Sequence, residues 1–298
     1  MDERFEGANC AVCGKSDTEV FIRGGGPAHI VKCRHDSLVY MTPRPKAEVV
    51  RKFHTTDVRN DNLEIFDRYR REILSREAEA VKRLKPAGNL LDIGCATGVF
   101  FDNFTKGNWR LYGVDTAPLG VSISRTKRGA EVFNGTLAEA QYPSGFFDVV
   151  SILDTLFYDP DPRATLVEIR RILKDDGLLA VEVPGFTYTL LRNRGPLCWL
   201  LDRKWTKGYT ASYHLYYFSP RSLRLLLEAS GFRVTKIIPE QASLDRGGVL
   251  RSLNELHFAL ARLLFTASGG RLSLAGKELY LAVKSNPCPP GQAPGSSA

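Results

Sequence analysis

The sequence lacks three features that would place it outside a reducing compartment or in a membrane. No stretch reaches the roughly 18 uninterrupted apolar residues of a spanning helix. The N-terminus, MDERFEGANC, carries acidic residues and no apolar core of a secretory signal. The six cysteines are unevenly spread, with three in the first 33 residues, and suggest no disulfide framework. We therefore expect a soluble, cytoplasmic protein.

The composition is that of an ordinary globular protein. Of 298 residues, 43% are hydrophobic and 25% are charged, with Gly 26 and Pro 16, which excludes a disordered or collagen-like chain. At roughly 150 residues per domain, the length predicts about two domains. The formal charge of +8 favours an anionic partner such as a nucleic acid, an anionic lipid or an acidic substrate.

Composition shifts along the chain predict its organisation. A Cys-containing, turn-rich segment covers residues 1–45, and a helical linker with charged, apolar-periodic sequence covers 46–87. Residues 88–285 form the main domain, interrupted at 186–213 by a segment that we interpret as a helical lid insertion. The Pro-, Gly- and Ser-rich residues 286–298 are predicted to be a disordered tail.

In the main domain, strand-like and helix-like segments alternate. Apolar runs such as NLLDIG, RLYGVD, FDVVSIL and GLLAVEVPG are separated by helical patterns such as PRATLVEIRRIL. Alternation of this kind predicts βαβ units around a parallel sheet.

A glycine loop follows the first of these strands. In LLDIGCATG, residues 90–98, the strand contains Asp92 and runs into a turn that has Gly94 and Gly98. A dinucleotide site would read GxGxxG, whereas here the spacing is GxxxG and the preceding acid would repel a phosphate and attract a cation. About twenty residues on, the second strand ends in Asp115, whose carboxylate can accept both ribose hydroxyls. A nucleoside plus a cation, without phosphate, describes S-adenosylmethionine.

The ordered set of motifs resembles the class I S-adenosylmethionine-dependent methyltransferases. DIGCATG, GVD, FDVVSIL and RILKDDGLLAVEVPG match that family's successive motifs over roughly residues 88–185. YHLYYFSPRSLRLLLEASGF is similar to the stretch after the fifth strand in a broad bacterial branch that methylates small molecules. The resemblance implies a Rossmann-like, doubly wound α/β sheet of seven strands.

The resemblance also implies where the cofactor binds. Asp92 would hold the methionyl ammonium, the loop backbone would line the amino-acid moiety, and Asp115 would bind the ribose. Asp154, at the end of the fourth strand, would face the methyl group, and we interpret Cys95 as a small filler rather than a nucleophile. The full set of expected cofactor residues is Asp92, Gly94, Cys95, Ala96, Thr97, Gly98, Asp115, Thr116, Thr136, Leu137 and Asp154.

The candidate catalytic residues are His214, Tyr158 and Asp154. The segment DTLFYDPDP, residues 154–162, aligns with a family pattern that usually carries Glu and His, but here Phe157 and Tyr158 stand in their place. His214 matches a histidine that recurs in the resembling families, so it is our leading base or substrate-orienting group. The alternative is a histidine that only hydrogen-bonds and packs among aromatic side chains.

The N-terminal cysteines resemble the zinc-ribbon-like header attached to many methyltransferases of this branch. Cys10, Cys13 and Cys33 are in place, and Asp36 replaces the fourth cysteine, with His35 as a competing ligand. Zinc accepts a carboxylate oxygen or an imidazole nitrogen, so Cys3Asp and Cys3His both stay open, and a four-ligand site would be structural. The alternative is an eroded ribbon that binds no metal.

The excess positive charge is concentrated in the predicted lid. Residues 1–45 contain equal numbers of basic and acidic residues, whereas 186–212 contain five basic residues and only Asp202. The basic residues are interleaved with aromatic ones, which favours an anionic or membrane-associated acceptor over nucleic acid. A solvated amphipathic lid is the alternative. The apolar helix VLRSLNELHFALARLLFTA is expected to pack against the lid or to form a homodimer face.

These observations predict a methyltransferase acting by O- or C-methylation on a small molecule such as a sugar, a glycolipid precursor or a secondary metabolite. Methylation of RNA or protein is a second hypothesis, which the neutral ribbon disfavours. A non-catalytic cofactor-binding module is a third, consistent with the loss of the usual Glu-His pair. The GxxxG spacing counts against a nicotinamide-dependent dehydrogenase.

Overall fold

A computed structural model describes residues 2–23, 27–56, 63–194, 214–241 and 249–286 of the chain. The thirteen strands in these ranges are β1 Phe5–Glu6, β2 Thr18–Ile22, β3 His29–Cys33, β4 Val39–Thr42, β5 Arg44–Pro45, β6 Gly88–Ile93, β7 Trp109–Asp115, β8 Glu131–Asn134, β9 Phe147–Leu153, β10 Leu173–Pro184, β11 Tyr216–Tyr217, β12 Phe232–Glu240 and β13 Lys277–Lys284. The α-helices are α1 Ala47–Thr56, α2 Leu63–Lys82, α3 Pro118–Arg128, α4 Leu137–Ala140, α5 Pro162–Ile172, α6 Phe186–Arg194, α7 Pro220–Ala229 and α8 Val249–Ala267.

The main domain is built on a seven-stranded sheet, which confirms the predicted α/β, Rossmann-like fold. The strand order is β12-β13-β10-β9-β6-β7-β8. The five strands from β10 to β8 are parallel, but β13 is antiparallel to both β10 and β12, so the sheet is mixed rather than wholly parallel. Strand order reverses between β6 and β9, and a crevice at such a reversal is where open α/β sheets bind ligands.

Local sequence signals explain why several helices begin where they do. Helix α5 starts at Pro162, directly after Asp161, whose side chain accepts a hydrogen bond from Ala164 N at 3.0 Å. Helix α7 starts at Pro220 after a capping box formed by Ser219 and Ser222. Both helices bury an apolar stripe against the sheet, as their periodic leucine and isoleucine residues predict. The segment after β6 forms a short 3-10 helix, Val99–Phe104, with all three of its phenylalanines buried.

The cysteine-containing segment forms a second sheet that includes a strand from the main domain. Its order is β11-β4-β3-β2, with Tyr216 opposite Tyr40 and Tyr217 opposite Val39. Buried residues of this segment belong to the same hydrophobic cluster as those on one face of the large sheet, among them Tyr40, Phe157 and Leu223. The N-terminal segment is therefore packed into the main domain.

Parts of the predicted lid and tail lie outside the described residues. Helix α6 covers the start of the lid, while most of its basic and aromatic residues, Trp199, Arg203, Lys204, Trp205, Lys207 and Tyr209, fall in the undescribed stretch, as does the tail after residue 286. Of the helices in the described ranges, none has the length and apolarity that a membrane crossing requires.

Candidate functional site

The glycine loop lies at the carboxyl end of β6, beside the point where the strand order reverses. Gly94 has φ +75°, and a Cβ there would lie 2.3 Å from Thr155 Oγ1. Gly98 has φ +78°, and a Cβ there would lie 2.3 Å from Ser124 Oγ. Any side chain at either position would clash or strain the backbone, so both glycines are needed for the loop to take this path.

Asp115 is positioned by the backbone on both sides of it. Its carboxylate accepts hydrogen bonds from Ala96 N at 2.8 Å and from Ala117 N at 2.7 Å. Burial raises the pKa of Asp115 although these amide donors act to lower it. A carboxylate has about four acceptor positions, so each oxygen retains acceptor capacity for a ligand hydroxyl.

Cys95 fills space inside this loop. Its side chain is buried, and a Cβ added at Gly113 would lie only 2.7 Å from its Sγ. Burial raises the pKa of the thiol well above its ordinary value, so the reactive thiolate is disfavoured. This environment is that of a small packing residue.

Asp92 lies at the floor of a small pocket that adjoins the loop. It accepts a hydrogen bond from Ser151 Oγ at 2.7 Å, and burial raises its pKa to about 7 although the Arg70 charge acts in the opposite direction. Arg70, Asp67 and the loop residues 94–97 line the same pocket. Thr97 is fixed there because its hydroxyl donates to Asp67 Oδ1 at 2.7 Å.

A charged network continues from this pocket toward Asp154. Lys277 Nζ lies 3.0 Å from Asp154 Oδ2 and 2.5 Å from Glu182 Oε1, and Arg70 is 3.5 Å from Glu182 Oε2. Burial acts to raise the pKa of Asp154, but the charges of Lys277 and Arg70 outweigh it and lower the pKa to about 2. Asp154 is thus a fixed negative charge and a poor proton acceptor at neutral pH.

Sequence reasoning missed Asp67, Arg70, Glu182 and Lys277. Glu182 stands inside the otherwise apolar run LLAVEVP, and a buried charge in such a strand is a signal that requires a partner. The partners lie on α2 and β13, far along the chain, so the pattern alone does not identify them.

The three residues expected near the adenine lie at the ends of β7 and β8. Thr116 follows Asp115 directly and is half-buried. Thr136 forms a capping box with Glu139 at the start of α4, and Leu137 is buried behind it. The exposed Thr136 side chain is therefore already engaged in capping the helix.

Tyr158 and His214, two of the three candidate catalytic residues, are in contact. Tyr158 Oη lies 3.0 Å from His214 Nε2, and the His54 ring stands edge-on to Tyr158 at 4.7 Å between centroids. His54 was not predicted from the sequence. A pocket beside the pair is lined mainly by aromatic and apolar groups, among them Phe157, Val183, Phe186, His214, Tyr217 and Phe218.

The predicted metal ligands Cys10, Cys13, Cys33 and Asp36 converge. One ligand atom from each lies within 4.8 Å of every other. Cys10 Sγ is 3.1 Å from Asp36 Oδ2, and Cys13 Sγ is 3.6 Å from Cys33 Sγ. Three sulfurs and one carboxylate oxygen at this spacing fit a tetrahedral zinc site.

His35, the competing ligand, points away from this cluster. Its Nε2 lies 3.3 Å from Asp17 Oδ2, and 40% of its side chain is exposed. The geometry therefore favours Asp36 over His35 as the fourth group.

The fold and the glycine loop flanked by Asp92 and Asp115 define the class of S-adenosylmethionine-dependent methyltransferases. The family described as "Methyltransferase domain" matches residues 66–237, which is more than half of the chain. The chain belongs to this methyltransferase family, as the sequence motifs predicted.

Curated proteins and solved structures are similar to parts of this chain. A ubiquinone biosynthesis O-methyltransferase of Cereibacter sphaeroides is 32% identical over 95 residues, covering 30% of this chain and 38% of that protein. The aligned segments span less than half the length of the first curated relatives.

An S-adenosylmethionine-dependent methyltransferase structure from Archaeoglobus fulgidus has a TM-score of 0.51 at 20% identity, covering 75% of this chain and 99% of that chain. A structure of the Haloferax volcanii Trm112 methyltransferase activator in complex with a methyltransferase gives a TM-score of 0.55 at 19% identity, covering 80% and 98%. At these identities the structural matches concern the fold alone.

Proposed function

We propose that the protein transfers a methyl group from S-adenosylmethionine to a small-molecule acceptor. The observation that carries the proposal is the pairing of Asp92 and Asp115 across a glycine loop whose Gly94 and Gly98 both have positive φ. The bound cofactor would supply an electrophilic methyl group on a sulfonium with a good neutral leaving group.

The residues present fit that cofactor. Asp92, buried at the pocket floor, would hold the ammonium, and Arg70 would hold the carboxylate of the amino-acid end. The remaining acceptor positions of Asp115 would bind the two ribose hydroxyls. Thr116, Thr136 and Leu137 would flank the adenine, and Asp154, kept ionised by Lys277, would place a negative charge near the sulfonium.

His214 and Tyr158 would act on the acceptor. Because displacement at a sulfonium gains most of its rate from orientation, the first task of this pair is to orient the acceptor nucleophile. A hydroxyl acceptor also has to lose its proton, and His214, hydrogen-bonded to Tyr158, would accept it. The ubiquinone biosynthesis O-methyltransferases among the relatives favour a hydroxyl acceptor.

For the cysteine cluster we propose a structural zinc ion held by Cys10, Cys13, Cys33 and Asp36. With four protein ligands, the ion would have no open position at which to bind a substrate. Its contribution would be to the folding of the N-terminal sheet.

A second copy of the chain is a candidate partner at helix α8. Leu256, Leu260 and Leu263 are large exposed apolar side chains on this helix, and their three- and four-residue spacing places them on one face. Light scattering of the protein and of a Leu260→Ser variant would show whether this face joins two copies.

The experiment that tests the function is metabolite profiling with isotopically labelled S-adenosylmethionine. The protein is incubated with the labelled cofactor and a whole bacterial cell extract, whose small molecules, RNA and protein are then separated, and Asp115→Ala serves as a matched control with a weakened cofactor site. We expect at least one small molecule to gain the label with the wild-type protein and not with the variant. Label appearing only in RNA or protein would overturn the small-molecule proposal, and binding without any transfer would indicate a non-catalytic module.

A further inference from the structure

The segment between residues 214 and 217 is held from two sides. On one side, Leu215 O accepts a hydrogen bond from Met41 N at 2.8 Å, and Tyr216 and Tyr217 pair with strand β4. On the other side, Leu215 N donates to Phe157 O at 2.9 Å. The backbone of Leu215 is thus hydrogen-bonded both to the N-terminal sheet and to the turn that carries Tyr158.

This double attachment sets the position of the candidate catalytic pair. His214 directly precedes Leu215, and Tyr158 directly follows Phe157, so the two backbone segments that Leu215 joins are the ones that bring His214 and Tyr158 together. The His214 ring also packs edge-on against Phe157, at 4.6 Å between centroids. A shift of strand β4 would therefore displace His214 relative to Tyr158.

Side-chain contacts also join β11 to the N-terminal segment and to the loop after β9. Arg44, on β5, donates through Nη1 to Tyr216 Oη at 2.9 Å and also to Pro160 O. Tyr216 Oη in turn donates to Pro160 O at 3.2 Å. The N-terminal segment, β11 and the loop after β9 are joined at one point.

The cysteine cluster adjoins the start of strand β4. Cys33 ends β3, Asp36 lies in the turn, and Asp36 Oδ1 accepts from Leu38 N at 2.9 Å, one residue before β4 begins. Cys33 N donates to Leu38 O at 2.8 Å across the same turn. An ion bound by the four ligands would tie this turn to the loop that carries Cys10 and Cys13, and would fix where β4 starts.

We propose that the metal-binding ribbon is a positioning device for the acceptor side of the active site: the ion fixes the β3–β4 turn, and β4 positions His214 against Tyr158 through Leu215. The proposal rests on the proposed function of His214 and of the cysteine cluster. The cofactor residues Asp92, Gly94 and Asp115 are positioned by β6 and β7 and by their own loop, so metal loss should leave them in place.

The test is hydrogen–deuterium exchange of the full chain, purified with zinc, then stripped with a chelator and reloaded with zinc chloride. On stripping, we expect amide exchange at residues 39–42 and 214–217 to become at least ten-fold faster, while exchange at 90–98 and the Kd for S-adenosylmethionine change less than two-fold. Reloading should restore the slow exchange. His35→Ala is the matched control next to Asp36: it should keep its zinc and exchange like the wild type.

Three results would overturn the proposal. They are a wild-type protein that binds no zinc, faster exchange at 39–42 without any change at 214–217, and a cofactor affinity that falls in step with the exchange. The Cys13→Ser variant, if it folds, should behave as the stripped protein does, and the chelation cycle tests the proposal without it. A zinc-loaded protein that does not bind S-adenosylmethionine would instead contradict the proposed function, while the exchange data would still report on the coupling.

Discussion

The two sides of the candidate active site are built in different ways. The cofactor side, residues 92–98 with Asp115, comes from two adjacent strands and the loop after the first of them, and Asp115 is hydrogen-bonded to the backbone of that loop. Its side-chain partners on other elements are Ser151 and Asp67. The acceptor side, Tyr158 and His214 with strand β4, is assembled from three segments far apart in sequence. The first side depends on local backbone geometry, and the second on tertiary packing.

This difference implies that the two sides can be damaged separately. Cofactor binding should survive changes in the N-terminal sheet, because the glycine loop and Asp115 support each other. Acceptor turnover should be sensitive to any change that moves β4, β11 or the turn after β9. Substitutions on each side should show this separation.

Replacing His214 should lower the rate of methyl transfer strongly while leaving cofactor binding almost unchanged. We expect His214→Ala to lower the rate of methyl transfer by about a hundred-fold or more, because it removes the proposed proton acceptor and the partner of Tyr158. The Kd for S-adenosylmethionine should stay within about two-fold. Transfer of labelled methyl to the acceptor identified by profiling, together with calorimetry, measures both quantities.

Tyr158→Phe provides the control for this substitution, since it removes only the hydroxyl and should have a smaller effect on rate. An unchanged rate in His214→Ala would remove His214 from the mechanism. A strongly weakened cofactor affinity would contradict the separation of the two sides.

On the cofactor side, the ionised form of Asp92 should lower the free energy of unfolding, because its carboxylate is buried. Its pKa of about 7 in the folded state lies above the ordinary unfolded value, so its contribution to stability is present below pH ~4 and is lost as the pH rises through 7. We expect Asp92→Asn to stabilise the cofactor-free protein at pH 8, by up to about 4 kcal/mol for a shift of about three pKa units, and to change its stability little at pH 4. The variant should also bind the cofactor more weakly. Thermal unfolding across this pH range measures the effect.

Asp154→Asn should change the stability of the protein in the opposite direction to Asp92→Asn. The pKa of Asp154 is lowered to about 2, so its ion pair with Lys277 contributes stability above the unfolded pKa, and this is lost as the pH falls through 2. Asp154→Asn should therefore destabilise the protein at neutral pH. Similar behaviour of the two variants would show that the charges of Asp92 and Asp154 are not held as described.

The smallest expected effect is at Thr136. Thr136→Ala removes the N-cap of α4 and should cost about 1 kcal/mol of stability, with the cofactor Kd changing only a few-fold. Thermal unfolding and calorimetry distinguish the two effects. A cofactor Kd weakened by much more than ten-fold would show that Thr136 is a principal cofactor contact rather than a helix cap at the site's edge.

The same contrast explains what could be predicted from the sequence. The placement of the glycine loop, Asp92 and Asp115 together was predictable, because one short motif and one strand end contain these residues. Their roles toward the cofactor stay predictions. The convergence of Cys10, Cys13, Cys33 and Asp36 was predictable in outline, but the choice of Asp36 over His35 was not, since it depends on which side of the turn each side chain takes. His54, Arg70 and Lys277 were missed because their partners lie on distant elements.

The antiparallel direction of β13 could not be predicted from the sequence pattern either. Its sequence, KELYLAVK, reads as a buried strand, but its direction is set by where the preceding chain returns to the sheet. The pairing of β11 with β4 was not predictable either, because a strand of two residues carries too little sequence pattern to identify its partner.

Asp115 and the glycine loop are proposed to form the site for S-adenosylmethionine. Calorimetric titration of S-adenosylmethionine into the wild-type protein and the Asp115→Ala variant tests this proposal. The loss of two hydrogen bonds to the ribose should cost about 2 kcal/mol, so we expect one binding site in the wild type and an affinity weaker by roughly thirty-fold in the variant. Equal affinities, or no binding to the wild-type protein, would contradict the assignment.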